Sequence, residues 1–396
     1  MTKICCDLSV TSLQTFVISL LLTAGLSGQE LQTDIGESPL FRGEQLLLAG
    51  SYAAAADMFQ MADGLNRNEG IVGASKAFFS MGNPLEAINV AEAFIEDVDY
   101  ARYPLVSTQL AEVKREIGQS SEALEILAVV VEEQFEPPLR TLVQYGSLLK
   151  LVSRKSEADQ VLSLAVQRYN NGLVFASEEV GMVALASWLL GDFHDANSLF
   201  SEAVRANPNN LEAHVLWGNL FLEKYNASDA ERSYQEALEV NDRYVPALAG
   251  LARVNGDERA LEKALSVNPN SRAAKETYAQ LLFINGREED ALNILDEVLV
   301  INPEALKSLS LLGAKAALEE READFLNIRE RVALFSPKNP YFLGDVADTL
   351  GKQYRFEEAV VLLREALESD PQYWQGYALL GTNLIRLGEE AEGRKN

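Results

Sequence analysis

The chain has 396 residues, enough for two or three globular domains, yet no Pro/Gly/Ser-rich linker divides it and only 12 residues are proline. Ala, Leu and Glu dominate, as in helical proteins. With 34 Lys and Arg against 59 Asp and Glu, the formal charge is −25, which repels phosphate backbones and anionic lipid surfaces and argues against a nucleic-acid partner.

In chain order, the first expected element is a leader. Residues 1–28 hold an apolar stretch over 16–22 followed by small residues, the pattern of a secretory signal peptide, although Lys3 is the one basic side chain ahead of it and Asp7 opposes it. The stretch is short for a bilayer span. Export to the periplasm or outside the cell is therefore expected, or a cytoplasmic location if the leader reading fails. Both cysteines, Cys5 and Cys6, lie within this segment, so a processed chain carries no disulfide and no thiol chemistry. A short linker over 29–35 follows.

From residue 36 onward the chain repeats. The Pro or polar stops Pro208, Asp242, Pro269, Pro303, Pro337 and Pro371 are separated by 34, 27, 34, 34 and 34 residues. A second ruler, the small residue expected where two helices of a hairpin cross, falls at Ala55, Ala87, Ala123, Ala158, Ala196, Ala230, Ala291 and Ala359. The two give ten units: 36–67, 68–103, 104–138, 139–176, 177–210, 211–244, 245–271, 272–305, 306–339 and 340–373, with a fragment at 374–396. Units over 36–176 are degenerate, marked by Gly82 with Ala87, Gly118 with Ala123 and Gly146 with Ala158. Those over 177–373 are regular apart from the shortened one at 245–271.

Unit 211–244 shows the physics. Leu216, Trp217, Leu220 and Phe221 recur at helical spacing, Gly218 permits close approach, residues 226–228 break the helix, and Ala230, Tyr234 and Ala237 face inward from a second helix. This is a helical hairpin. Gly218, Phe221, Ala230, Tyr234 and Ala237 resemble the tetratricopeptide repeat, with Asp242 in place of its terminal Pro. Gly381, Leu384, Ala359, Ala366 and Pro371 carry the same resemblance further along. The resemblance implies an all-α, right-handed α-solenoid of antiparallel helix pairs in which each unit touches only its neighbours. The seven residues missing from 245–271 then amount to about one turn from each helix.

No motif supports catalysis. His194 and His214 begin no His-Glu-x-x-His sequence, no phosphate-binding loop or dinucleotide fingerprint occurs, and clusters such as Glu319, Glu320 and Glu322 or Glu288, Glu289 and Asp290 read as helix-start acids. Neither cofactor nor metal is expected. The function implied by the resemblance is a non-catalytic scaffold holding a peptide or protein segment in a concave groove lined by first helices. Its ninth and twelfth positions place Lys76, Phe79, Leu185, Trp188, Asn219, Leu222, Gln280 and Phe283 there. Asn219 and Lys76 lie too far apart along the array for the family's carboxylate clamp.

The fragment at 374–396 supplies one helix and then stops, so Trp374, Tyr377, Leu380 and Leu384 are expected to lack cover unless a partner or further segment completes the array. The series and its ending also resemble the N-terminal arrays of large bacterial secreted proteins that continue into a peptidase-like domain. An accessory array of a hydrolase and a structural assembly subunit are the alternative functions.

Overall fold

The computed structural model describes residues 38–95, 98–224 and 226–395; the leader lies outside them. Twenty-two α-helices and no strand occur among the described residues. They alternate as first and second helices of hairpins: α1 (Pro39–Leu48) and α2 (Tyr52–Gln60), α3 (Arg67–Ser80) and α4 (Pro84–Glu92), α5 (Pro104–Glu116) and α6 (Ser120–Glu133). The series goes on through α7 (Leu139–Leu151), α8 (Lys155–Asn170), α9 (Ser177–Leu190), α10 (Phe193–Ala206), α11 (Leu211–Glu223) and α12 (Ala227–Val240). Next come α13 (Val245–Asn255), α14 (Glu258–Val267), α15 (Arg272–Ile284), α16 (Glu288–Ile301), α17 (Leu306–Leu318) and α18 (Glu322–Phe335). The last are α19 (Pro340–Lys352), α20 (Phe356–Ser369), α21 (Trp374–Arg386) and the four-residue α22 (Glu390–Gly393).

Local chemistry explains the boundaries. Asp192, Asn210, Asn226, Asp257, Ser271 and Asn339 accept a backbone N–H from the first turn of the helix they precede. Asn226 caps α12 directly, so the break expected over 226–228 is tighter than the sequence suggested: Ala227 is already helical. The eight alanines of the second ruler are all fully buried at hairpin crossings. Tyr234 shows why glycine is used beside them. Its ring lies against Gly218 and Gly250, and a Cβ at Gly218 would stand 2.6 Å from a ring carbon.

The seven-residue deletion is divided unevenly. Helix α13 has 11 residues against 13 in α11, α14 has 10 against 14 in α12, and the intervening turn is one residue shorter. The second helix thus loses most, in place of one turn from each.

A larger departure concerns contacts along the array. Units do not touch only their sequence neighbours. Ser120 N donates to Glu304 Oε2 across 184 residues, and the Tyr52 hydroxyl donates to the Arg243 carbonyl across 191. Divided by the 34-residue period, that separation puts between five and six units in each turn of a superhelix, whose second turn rests on the first. Its physical cause is the dual use of one residue at each stop. Asn241, Asn268 and Asn302 each use Oδ1 to accept the backbone N–H two residues ahead, at 2.9 Å. Their Nδ2 groups are then free to reach across: Asn241 to the Tyr52 hydroxyl (3.2 Å), Asn268 to the Phe79 carbonyl (3.1 Å) and Asn302 to the Glu116 carbonyl (3.0 Å). Ser336 makes the equivalent bond to the Leu151 carbonyl. Each acceptor lies at the turn inside a first-turn hairpin, three at the end of its first helix and Tyr52 at the start of its second, beside Gly50, Gly82, Gly118 and Ser153 with positive φ.

The exposed end expected at 374–396 is also corrected. Leu380 and Leu384 are buried within the last core cluster, and Trp374 is covered from the preceding turn by Phe193, whose ring it meets edge-on at 5.0 Å. Lys224 Nζ sits in the corner between the two rings, 3.1 Å from one centroid and 3.6 Å from the other.

Candidate functional site

Where the two turns meet they line a half-open cavity of about 790 Å³. First-turn units contribute the middle and end of their first helices: Glu44, Lys76, Phe79, Glu112, Arg115 and Glu116. From 139 on, units contribute the opposite, N-terminal ends of theirs: Arg140, Glu178, Glu212, Tyr244 and Arg272.

Most of the charges are already paired. Arg140 lies between two carboxylates, Nε donating to Glu112 Oε1 at 2.5 Å and Nη2 to Glu212 Oε1 at 2.9 Å. Burial raises the Glu212 carboxyl, and Arg140 outweighs it and holds that group below the usual carboxylate range. Glu116 is held by Arg272 from the second turn (2.9 Å) and by its neighbour Arg115 (3.1 Å). Burial again opposes ionisation there, but the two guanidiniums bring the carboxyl down to about 2. Tyr244, deep between the turns, is pushed well above the usual phenol range by burial and by Glu212.

Lys76 differs. It has no ion-pair or hydrogen-bond partner among the described residues, and its side chain keeps some water contact through the cavity. Protein surrounds the ammonium nonetheless, and burial, seconded by Arg140, pulls it below the usual lysine range against Glu112, Glu212 and Glu178. A lysine donor thus stands inside a lined cavity in which the other basic groups, Arg115, Arg140 and Arg272, are already engaged by carboxylates.

Of the residues expected in the groove, Lys76 and Phe79 line this cavity. The Trp188 indole N–H donates to Glu223 (2.9 Å), which also accepts from Gln375 of the second turn (3.0 Å); Leu185 packs beside Trp188 in the same core cluster. Asn219 accepts from the Tyr234 hydroxyl (2.8 Å) and from Arg253 (2.6 Å), while Leu222 and Phe283 are half-buried against neighbouring hairpins and Gln280 is half-buried. These six do not line the cavity. Sequence reasoning missed Arg140, Glu178, Glu212, Tyr244 and Arg272 because it assigned one set of positions to every unit. A signal was present: the second residue of unit 139–176 is Arg and that of the next two units is Glu.

His214 is structural, its Nε2 bonded to the Pro208 carbonyl at 2.9 Å. Among the described residues no group of three potential ligands could hold a metal, and no helix is long and apolar enough to cross a membrane.

Residues 184–252 match the family model for the tetratricopeptide repeat, the stretch in which the hairpin geometry and the Gly218–Tyr234 packing are clearest. Over those residues the chain carries tetratricopeptide repeats. Among solved structures the chain is similar to yeast Tom70, at 18% identity over 90% of this chain and 81% of that one, with a TM-score of 0.40. It is also similar to a chain of the Cut9–Hcn1 hetero-tetramer of the APC/C, at 12% identity over 87% and 83%, with a TM-score of 0.46. No curated protein matches it. The coiled stack of hairpins described above is a helical repeat fold consistent with a scaffold for protein–protein interaction.

Proposed function

We propose that the protein is an exported, non-catalytic scaffold that holds an extended segment of a partner protein in the cavity between its two superhelical turns. The observation that carries this reading is the unpaired Lys76 side chain in a cavity of about 790 Å³ whose arginines are already paired with carboxylates. An entering segment satisfies Lys76 without breaking an existing ion pair, and Phe79 beside it offers an apolar contact.

The test is affinity capture from the exporting compartment, followed by binding measurements on whatever is recovered. Lys76→Glu is expected to weaken binding by about tenfold or more, the scale of a lost charge contact. A Trp188→Ala/Phe283→Ala double variant is expected to lose less. Identical partners and affinities for the wild type and both variants would overturn the assignment.

A further inference from the structure

The contact between turns joins two kinds of edge. One is the stop edge, where a second helix gives way to the next first helix; the other is the turn edge inside each hairpin. Second-turn stops rest on first-turn turns, as the bonds from Asn241, Asn268 and Asn302 show. Among the described residues this leaves two edges of the same geometry uncovered: the stop edge of the first turn and the turn edge of the second.

The side chains of the first-turn stop edge are not what a water-facing rim requires. First-turn stops carry Leu65, Val98, Phe135 and Phe175, one per successive unit, each between 66% and 99% exposed. At the matching stops of the second turn stand the Asn and Ser residues that bond across. A lone exposed apolar residue is ordinary; one at the same place in four consecutive hairpins forms a row. The free turn edge at the other end presents Ile284 and Tyr354, both more than 70% exposed.

We infer that the occupant of the apolar stop edge is the turn edge of a second copy of this chain, stacked along the superhelix axis. The argument is continuity with an interface the molecule already makes with itself: stop edge on turn edge, repeated once per unit. Such a contact is heterologous, so it propagates head to tail into open assemblies rather than closing as a symmetric dimer.

Two blocked variants of the full chain test this. Phe135→Lys/Phe175→Lys disables one edge, and Ile284→Lys/Tyr354→Lys disables the other; all four positions are exposed, and unchanged thermal midpoints would confirm folding. By analytical ultracentrifugation the wild type is expected to gain mass with concentration beyond a dimer. Each variant alone is expected to stay monomeric, and an equimolar mixture to double in mass and stop there. A wild type that remains monomeric at all concentrations overturns the proposal and leaves the row to a different protein. A variant that still dimerises alone overturns the head-to-tail geometry.

Discussion

Gly82 and Gly286 have nearly the same backbone, φ +85° and +73°, and opposite surroundings. A Cβ on Gly82 would stand 2.6 Å from Asn268 Oδ1 in the other turn; on Gly286 it would meet nothing within 4 Å. Alanine at either site incurs the left-handed backbone cost of about 1–2 kcal/mol. Only Gly82→Ala also displaces a cross-turn hydrogen bond, so it is expected to be the more damaging by roughly another 1 kcal/mol in chemical denaturation. Equal losses would mean the rung contributes nothing. Glu116 supplies a pH signature. Its carboxyl is held at about 2, below the ordinary 4.5, so its ion pairs stabilise the fold fully above about pH 4.5. That contribution disappears as pH falls from there towards 2. Arg272→Ala is expected to flatten this part of the stability–pH profile while costing about 1–3 kcal/mol at neutral pH.

At the scale of elements, the shortened hairpin α13–α14 shares its core with the first turn. Its residues Leu248, Leu261 and Val267 share one core cluster with Tyr52, and Leu47 and Met81 pack against that cluster from the first turn. Tyr52→Ala is therefore expected to cost about 3–5 kcal/mol and to raise hydrogen exchange in α13 and α14, although they lie some 190 residues along the chain. Exchange confined to α1 through α4 would refute that coupling. Hairpins, their period and their buried alanines were legible in the sequence because they follow from local patterning. Cross-turn contact was not, and Asn207 shows why: its Oδ1 accepts the N–H of Asn209 just as Asn241 accepts that of Arg243. Yet its amide bonds to Glu178 in its own unit, while that of Asn241 crosses to Tyr52. Identical local chemistry therefore carries no mark of whether another turn lies above it. The cavity was half legible for the same reason, since Lys76 and Phe79 follow the repeat position and Arg140, Tyr244 and Arg272 follow superhelical pitch.

Over the whole molecule, closure between turns changes how a repeat array behaves. A one-dimensional stack loses stability locally, and its ends loosen independently of its middle. Here the first turn is fastened to the second by polar rungs, by Arg272 on Glu116, by Lys155 on Asp370 and by the Phe193–Lys224–Trp374 contact. The same closure forms the cavity proposed to hold a partner and defines the two free edges proposed to stack. Zero-length carbodiimide cross-linking of the monomeric fraction, read by mass spectrometry, tests it most directly. Lys155 Nζ lies 2.9 Å from Asp370 Oδ1 across 215 residues, beside local pairs such as Lys275 with Glu297 at 2.7 Å. A closed superhelix yields the Lys155–Asp370 link along with the local one; recovery of the local link alone would contradict it.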